Sequence, residues 1–600
     1  MYLNILFLPF LLILIIGIMG RYIGIKGLIK LINIIMITLI LLMILLIYEY
    51  LTEGNIVEIL IWEGIKTDIL KIEYKFILDE LSQNMLIIII SITYIVLIYS
   101  YDYMINDAHI IRFYLYIIIF IFFMIILIST TSLPILFIGW EGVGLSSYLL
   151  ISYWYTKLET QLGGLIAIIM NRLGDTFYLL GMFLFISWLG SIDIIILNTN
   201  YIYNLDKILI ILFIASMTKS AQLYLHLWLP FSMEGPTPIS ALIHAATMVT
   251  AGVFLLLRLN LLIKFTYFTL IIILLIGTLT ILIGGLLAIS SLDIKELIAY
   301  STMSQLGYMI VIIGLKYNNL SFYHLIFHAY FKALLFLTAG AIIHTIFDLQ
   351  DFRKTGGLIS FLPFISITTI IGSFSLIGFP FTTGYYSKEQ IINNSYITIS
   401  LLGHYSYLLL FIGVLITIFY SLKFYIMIFI NDIKLSLFNL KFIYYFSFHL
   451  FISLFFLTFI TIFFGFLFSK FIHFFDFLSV SYFSFDVPYL IKLLPFLFII
   501  LITIFLIILI NIFNIYYYQL YNYINQQFSF KLLYIFISGF FFSLSYRIFF
   551  KLFDYGFFDL LFSISGIKLI KLSKSYNILT IYGYDFFLAF FLIFIFILIL

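Results

Sequence analysis

The 600-residue sequence contains no cysteine, which excludes disulfides, iron–sulfur ligation and thiol catalysis within this chain. Charge is scarce as well. Asp, Glu, Lys and Arg make up 10% of the residues, against about 25% in soluble proteins. That scarcity excludes a string of soluble domains, for which the length alone leaves room. A net charge of +3 is too small to argue for a nucleic-acid partner. Composition leaves open a haem held by two histidines. The nine histidines, however, are spaced as a polar row rather than as a matched pair on facing helices. No phosphate-binding glycine loop, dinucleotide fingerprint or nucleophile elbow occurs.

Apolar residues are abundant: 64% of the chain is hydrophobic and 20% aromatic. Runs of roughly 18 or more apolar residues, each long enough to cross a bilayer, recur along the whole length. The expectation is an all-α polytopic membrane protein of about 16 transmembrane helices. The first apolar segment, Leu3 to Gly20, lacks a basic n-region and a small-residue cleavage site, so it reads as a retained span. Three helices are expected within 1–110, a five-helix block over 111–258, a second over 266–430, and further spans over 431–516. Residues 517–581 read as an amphipathic helix lying along the membrane or along partner proteins, and 582–600 as a C-terminal anchoring span.

The basic residues set the orientation. Arg21, Lys26 and Lys30 follow the first span with no acid among them, whereas the next loop holds Glu49, Glu53, Glu58, Glu63, Glu73 and Asp79. The first loop therefore faces the cytoplasm-equivalent side. Each five-helix block has a penultimate helix interrupted by Pro and Gly, near Pro230 in the first and near Gly378, Pro380 and Gly384 in the second. A lysine lies beside each interruption, Lys219 and Lys388. Five is an odd number, so consecutive blocks are inverted. Paired broken helices in inverted repeats point to a transport site at the midplane.

Polar residues inside such spans are costly and mark ion or proton routes. Lys219 is the sharpest position, since a lysine in hydrocarbon costs about 2.5–3.5 kcal/mol and needs a partner or water. On a continuous helix Lys219 and His226 share one face. Glu141, in Gly139–Leu150 (GWEGVGLSSYLL), is the obvious carboxylate for Lys219. Asn171 and Asp175 share a face at i, i+4, and Arg172 can pair with Asp175 at i, i+3. His324, His328 and Lys332 form one stripe suited to a proton relay, or equally to interhelical packing. Ser301, Ser304 and Tyr308 line one face of the tenth span with hydroxyls. Lys388 and Glu389 are adjacent, so each is expected to serve a different partner. A metal site needs a second ligand cluster, and none is obvious.

At these residues the chain resembles a known family. GWEGVGLSSYLL, NRLGD (171–175), TKSAQ (218–222), HLWLP (226–230), MEGPTPISALIHAATMVTAGVFLL (233–256), DIKELIAYSTMSQLGYM (293–309), HAYFKALLFLTAGAIIH (328–344) and YYSKEQII (385–392) resemble the subunit 5 family of respiratory complex I, the proton-pumping NADH:ubiquinone oxidoreductase, mitochondrial type. The match is dense from Asp79 to Ile392 and resumes at SYRIFFKLFDYGFFD (545–559), which resembles that family's lateral helix.

The resemblance implies two inverted antiporter-like repeats and a multi-pass protein of the mitochondrial inner membrane. It implies proton transfer through Glu141, Lys219, His244, His328, Lys332 and Lys388, with Asp175, Arg172, His324, Ser304 and Glu389 as secondary members. In it Glu141 and Lys219 form a charge pair and Lys388 is the exit-side donor. No cofactor is implied in this chain: NADH, FMN, iron–sulfur clusters and ubiquinone belong to other subunits of that enzyme. The implied partners are membrane lipids and the other membrane-arm subunits, with the lateral helix touching neighbouring antiporter-like subunits. Phe231 stands where the family commonly has Asp, Tyr224 where Pro is usual, Glu296 where a second basic residue is common, and Glu389 where Asp is frequent. The same motifs occur in the large subunit of multi-subunit Na⁺/H⁺ antiporters, the alternative reading; a plastid homologue and a purely structural clamp are further rivals.

Overall fold

The computed structural model describes residues 2–54, 56–66, 71–189, 205–346, 348–398, 400–432, 447–475, 488, 494–501 and 530–552. The chain divides into two compact units, Met1–Asn525 and Gln526–Leu600, and every candidate site residue belongs to the first.

Helix α1, Asn4–Glu53, runs for 50 residues. A straight helix of that length would reach about 75 Å, more than twice a bilayer core. It turns instead at Gly24, whose φ of 71° suits a residue without a Cβ. Tyr2 Oη donates to Glu49 at 2.6 Å, so the two arms lie side by side as the two expected spans. The acidic stretch that follows, read as a loop, is an antiparallel hairpin of β1 (Val57–Lys66) and β2 (Lys71–Leu78). Its signal was present: Lys71-Ile72-Glu73-Tyr74-Lys75-Phe76 alternates polar and apolar with the period of a strand. Asp79 then caps α2 (Glu80–Tyr103), its side chain accepting from Ser82 N at 3.0 Å while Ser82 Oγ accepts from Asp79 N.

Helices α3 (Ile110–Ser129), α4 (Leu133–Ile151) and α5 (Leu158–Leu189) come next. The interrupted pair α6 (Leu205–Lys219) and α7 (Trp228–Phe231) follows, then a 3-10 turn, Ser232–Glu234. The last span of the first expected five-helix block is two helices, α8 (Thr237–Ala245) and α9 (Met248–Arg258), separated at Thr247 with φ −126° and ψ −89°. After the short α10 (Asn260–Ile263) the chain builds α11 (Tyr267–Ser290), α12 (Ile294–Gly314) and α13 (Asn318–Thr345). A second interrupted pair, α14 (Pro363–Ile377) and α15 (Thr383–Ile397), leads to α16 (Leu401–Tyr425) and α17 (Phe448–Phe475). Twelve helical stretches among the described residues are long and apolar enough to cross a membrane, α1 counting once.

Burial differs sharply between the spans. The α8–α9 and α13 spans are wholly enclosed, whereas α1 shows most of its surface. Apolar α1 and α17 therefore form an outer layer around a polar interior, as a bilayer solvent demands. In the second unit, α18 (Phe530–Leu544) continues as wider helical turns to Leu552. The rest of the expected lateral helix, and the anchor at 582–600, lie outside the described residues.

Candidate proton-transfer site

The first interruption comes earlier in the chain than the prolines suggest. Helix α6 ends at Lys219, and Ala221 takes a left-handed φ of 47°. Gln222 N then reaches back to Met217 O at 3.0 Å, the closure that usually ends a helix with glycine. The expected shared face for Lys219 and His226 therefore does not exist, because no helix joins them. A carbonyl freed at the break is satisfied inside the protein, where Trp228 Nε1 donates to Thr218 O at 2.8 Å. Placing alanine in that backbone costs roughly 1–2 kcal/mol, and tertiary packing offsets it.

Lys219 is buried. Its Nζ donates to Trp140 O at 3.3 Å and lies 5.3 Å from the Trp140 ring centre. Gly144 makes room for it, since a Cβ there would come within 2.9 Å of Nζ. The expected carboxylate, Glu141, and Asp175 are close but differently tied. Glu141 is ion-paired with Arg172, and Asp175 accepts from Trp140 Nε1 at 3.1 Å, with Arg172 3.7 Å away. Among the described residues Lys219 makes no direct ion pair with Glu141. Asn171 and Asp175 turn inward as the i, i+4 spacing implies, while the Arg172 side chain is 51% exposed.

The centre of the molecule is an uninterrupted α13 that brings His324, His328 and Lys332 into one fully buried stripe. Lys332 Nζ donates to Ser301 Oγ at 2.5 Å. The His324 and His328 rings are 6.4 Å apart, and the Tyr308 ring lies 6.4 Å from His324. His324 Nδ1 meets Ser387 Oγ at 2.9 Å, and His328 faces the backbone at Ala245 without a well-formed hydrogen bond. His244, at the end of α8, meets Ser232 Oγ at 2.9 Å between the rings of Trp228 and Phe336. Ser304 Oγ lies 3.4 Å from Tyr420 Oη.

Lys388 closes the row. Helix α14 stops at Ile377, where Gly378 adopts φ 91°. The ammonium of Lys388 folds back onto the exposed end of that helix, donating to Leu376 O at 3.1 Å, Ile377 O at 3.4 Å and Thr417 Oγ1 at 3.2 Å. A cation on carbonyls at the negative end of a helix is favourable. Tyr308 lies beneath it, ring centre 5.0 Å from Nζ. Lys388 and Glu389 both line a cavity of about 420 Å³ walled by Ile377, Tyr385, Val414 and Phe496.

Asn171 and Gln305 are buried with neither amide atom hydrogen-bonded, and His328, His324 and His244 each keep at least one unpartnered ring nitrogen. Buried polar atoms in that state are ordinarily served by water. The arrangement can carry protons between titratable side chains along a wetted row. Among the described residues no three His, Asp or Glu side chains come close enough to hold a metal ion.

Buried Lys295 and part-buried Lys423 carry no signal in the sequence. Lys295 donates to Met233 O at 3.2 Å and Gly235 O at 3.0 Å, and Lys423 donates to Ile289 O and Ser291 O, both at 2.6 Å. Each sits on carbonyls where a helix or helical turn ends, as Lys388 does. Their positions near span ends resemble ordinary snorkelling lysines, so only the fold distinguishes them. Arg258, bound to Asp79 and to Ile128 O at 3.0 Å, was likewise not anticipated.

The family model described as NADH:quinone oxidoreductase/Mrp antiporter, TM, matches residues 130–419. The model for the NADH-ubiquinone oxidoreductase (complex I) chain 5 N-terminus matches 62–114. The chain is 46% identical over 374 residues to NADH-ubiquinone oxidoreductase chain 5 of Yarrowia lipolytica, covering 62% of this chain and 57% of that one. It is 44% identical over 380 residues to the Podospora anserina protein of the same name, covering 63% and 58%. To that of Talaromyces marneffei it is 42% identical over 457 residues, covering 73% and 69%. The match thus spans under two thirds of the length of the first two relatives. Among solved structures, the Mrp complex from Dietzia sp. DQ12-45-1b aligns with a TM-score of 0.73 at 21% identity, over 90% of this chain and 59% of that one. The membrane-bound sulfane sulfur reductase, an archaeal respiratory membrane complex, aligns with a TM-score of 0.68 at 18% identity, over 78% and 95%. At those identities the likeness is one of fold.

Proposed function

The chain belongs to the NADH-ubiquinone oxidoreductase chain 5 family, and from that premise we propose that it is a proton-translocating, antiporter-like subunit of respiratory complex I. The observation that carries the reading is the row of Lys219, His244, Lys332, His328, His324 and Lys388, every side chain of it buried. Such groups are rare in a membrane interior and mark ion or proton routes. NADH oxidation and ubiquinone reduction elsewhere in the complex drive the cycle. Within this chain protons pass between neighbouring nitrogens through hydroxyls and water, with Lys388 giving them up toward the cavity it shares with Glu389.

Glu141 acts on Lys219 through Arg172 and Asp175. Loss of the Glu141–Arg172 tie changes the field at the lysine without any atom of Glu141 touching it. A half-exposed Arg172 in mid-span also needs cover, because a charged side chain facing lipid is costly. That face of α4 and α5 fits a neighbouring membrane subunit. The chain works in the mitochondrial inner membrane, as two inverted five-helix repeats over 111–258 and 266–430 with a lateral helix along the membrane arm. Identity of 42–46% to chain 5 proteins, against 21% to the Mrp structure, favours this over an Na⁺/H⁺ antiporter.

The test is a native gel of detergent-solubilised host membranes, stained for NADH oxidation and probed for this chain. Co-migration with a large NADH-oxidising band is expected. Migration in a smaller, inactive assembly with Na⁺-dependent proton flux would favour the antiporter.

A further inference from the structure

Ser232 and His244 permit a hydrogen count that settles more than contact. Ser232 Oγ lies 2.5 Å from Leu229 O and 2.9 Å from His244 Nε2. A serine hydroxyl has one proton to donate, and a carbonyl oxygen has none. At 2.5 Å two oxygens repel unless the proton lies between them, so the Ser232 proton is committed to Leu229 O. The serine can then only accept from the imidazole, which requires the proton of neutral His244 to sit on Nε2. Nδ1 is left as the bare acceptor, and it has no partner among the described residues. The Ser232–Glu234 turn is itself held, because Lys295 donates to the carbonyls on both sides of Glu234.

We infer that Ser232 is a positioning residue that makes His244 one-sided: its proton is loaded and unloaded through Nδ1 alone. An arriving proton bonds to the Nδ1 lone pair and gives the imidazolium, while Nε2–H stays on Ser232 Oγ. Release from Nδ1 restores the starting ring. Exit through Nε2 would instead place a proton on Ser232 Oγ, whose own proton could pass only to Leu229 O, a carbonyl that cannot keep it. His244 therefore stores a proton and returns it to the row, and no proton crosses the ring. With Ser232→Ala, Nε2 is open to water, both nitrogens exchange, and the ring becomes a leak.

The inference rests on the proposed proton-pumping role, and two readouts keep the two apart. Infrared difference spectra of the intact complex, with ¹⁵N-histidine labelling and the His244 band assigned by its loss in His244→Gln, report the tautomer. Proton uptake per NADH oxidised in proteoliposomes reports the leak. The expected result is an Nε2–H band in the native chain, a mixture in Ser232→Ala with fewer protons moved per NADH, and recovery of both in Ser232→Thr. A structural role for Ser232 would lower assembly on a native gel without moving band or ratio. An Nδ1–H band in the native chain overturns the inference whatever the chain pumps. A native ratio in Ser232→Ala, in a complex where Lys219→Ala lowers it, overturns the inference and leaves the proposed function standing.

Discussion

Lys219 and the pair Lys332 and Lys388 are buried ammonium groups held in opposite ways. Around Lys219 the carboxylates of Asp175 and Glu141 are drawn in by Trp140 and Arg172. Lys332 and Lys388 instead make no ion pair among the described residues: Ser301, Thr417 and two carbonyls of α14 supply oxygen dipoles. A lysine beside carboxylates cannot lose its proton without leaving negative charge behind in a poor dielectric, so its release depends on where those carboxylates are committed. A lysine on neutral dipoles carries no such debt. Under the proposed function, the first block would act as a gate and the second as a conduit.

The comparison can be broken by substitution, from its largest expected effect to its smallest. Lys388→Ala removes the cation from the open end of α14, and pumping in proteoliposomes should fall by about tenfold or more with assembly on a native gel preserved. Ser301→Ala deprives Lys332 of its acceptor. A hydrogen bond to a charged group contributes about 1.5–3 kcal/mol, which corresponds to roughly tenfold to a hundredfold in rate, and Ser301→Thr should recover it. Pumping at the native rate in Ser301→Ala would show that dipoles do not hold Lys332. Asp175→Asn keeps the shape but removes the charge, so a few-fold loss is expected, and a double-mutant cycle with Lys219→Met should show coupling that one with Lys388→Met lacks.

The smallest effect at working pH belongs to the ion pair of Arg258, the last residue of α9, with Asp79, which lies outside the spans. Burial raises the Asp79 carboxyl, but the Arg258 charge and the hydrogen bonds from Arg258 and Ser82 outweigh it and hold the group below its usual range. A lowered acid contributes stability above its unfolded value, and that stability is lost as pH falls below about 4. Thermal melting of the detergent-solubilised complex should therefore differ between native and Arg258→Ala at pH 7, with the gap closing only in strong acid.

Much of this was legible in the residues. The stripe His324–His328–Lys332 needed only helical spacing, and α14 stops where Gly378 and Pro380 said it would. The first break was misread because Ala221 and Tyr224, neither of them a usual signal, take positive φ there. The Arg172–Glu141 pair and the Lys332–Ser301 bond join residues 31 apart on neighbouring helices, and spacing along one chain cannot report which face meets which. The β1–β2 hairpin is signalled by one strand alone, since Lys71–Phe76 alternates polar and apolar while Ile59–Trp62 is an unbroken apolar run.

The measurement that bears most directly on the account is proton translocation per NADH oxidised in proteoliposomes carrying Lys219→Ala, beside the native complex. The account predicts fewer protons per NADH with the complex intact. An unchanged ratio at full NADH oxidation would contradict it.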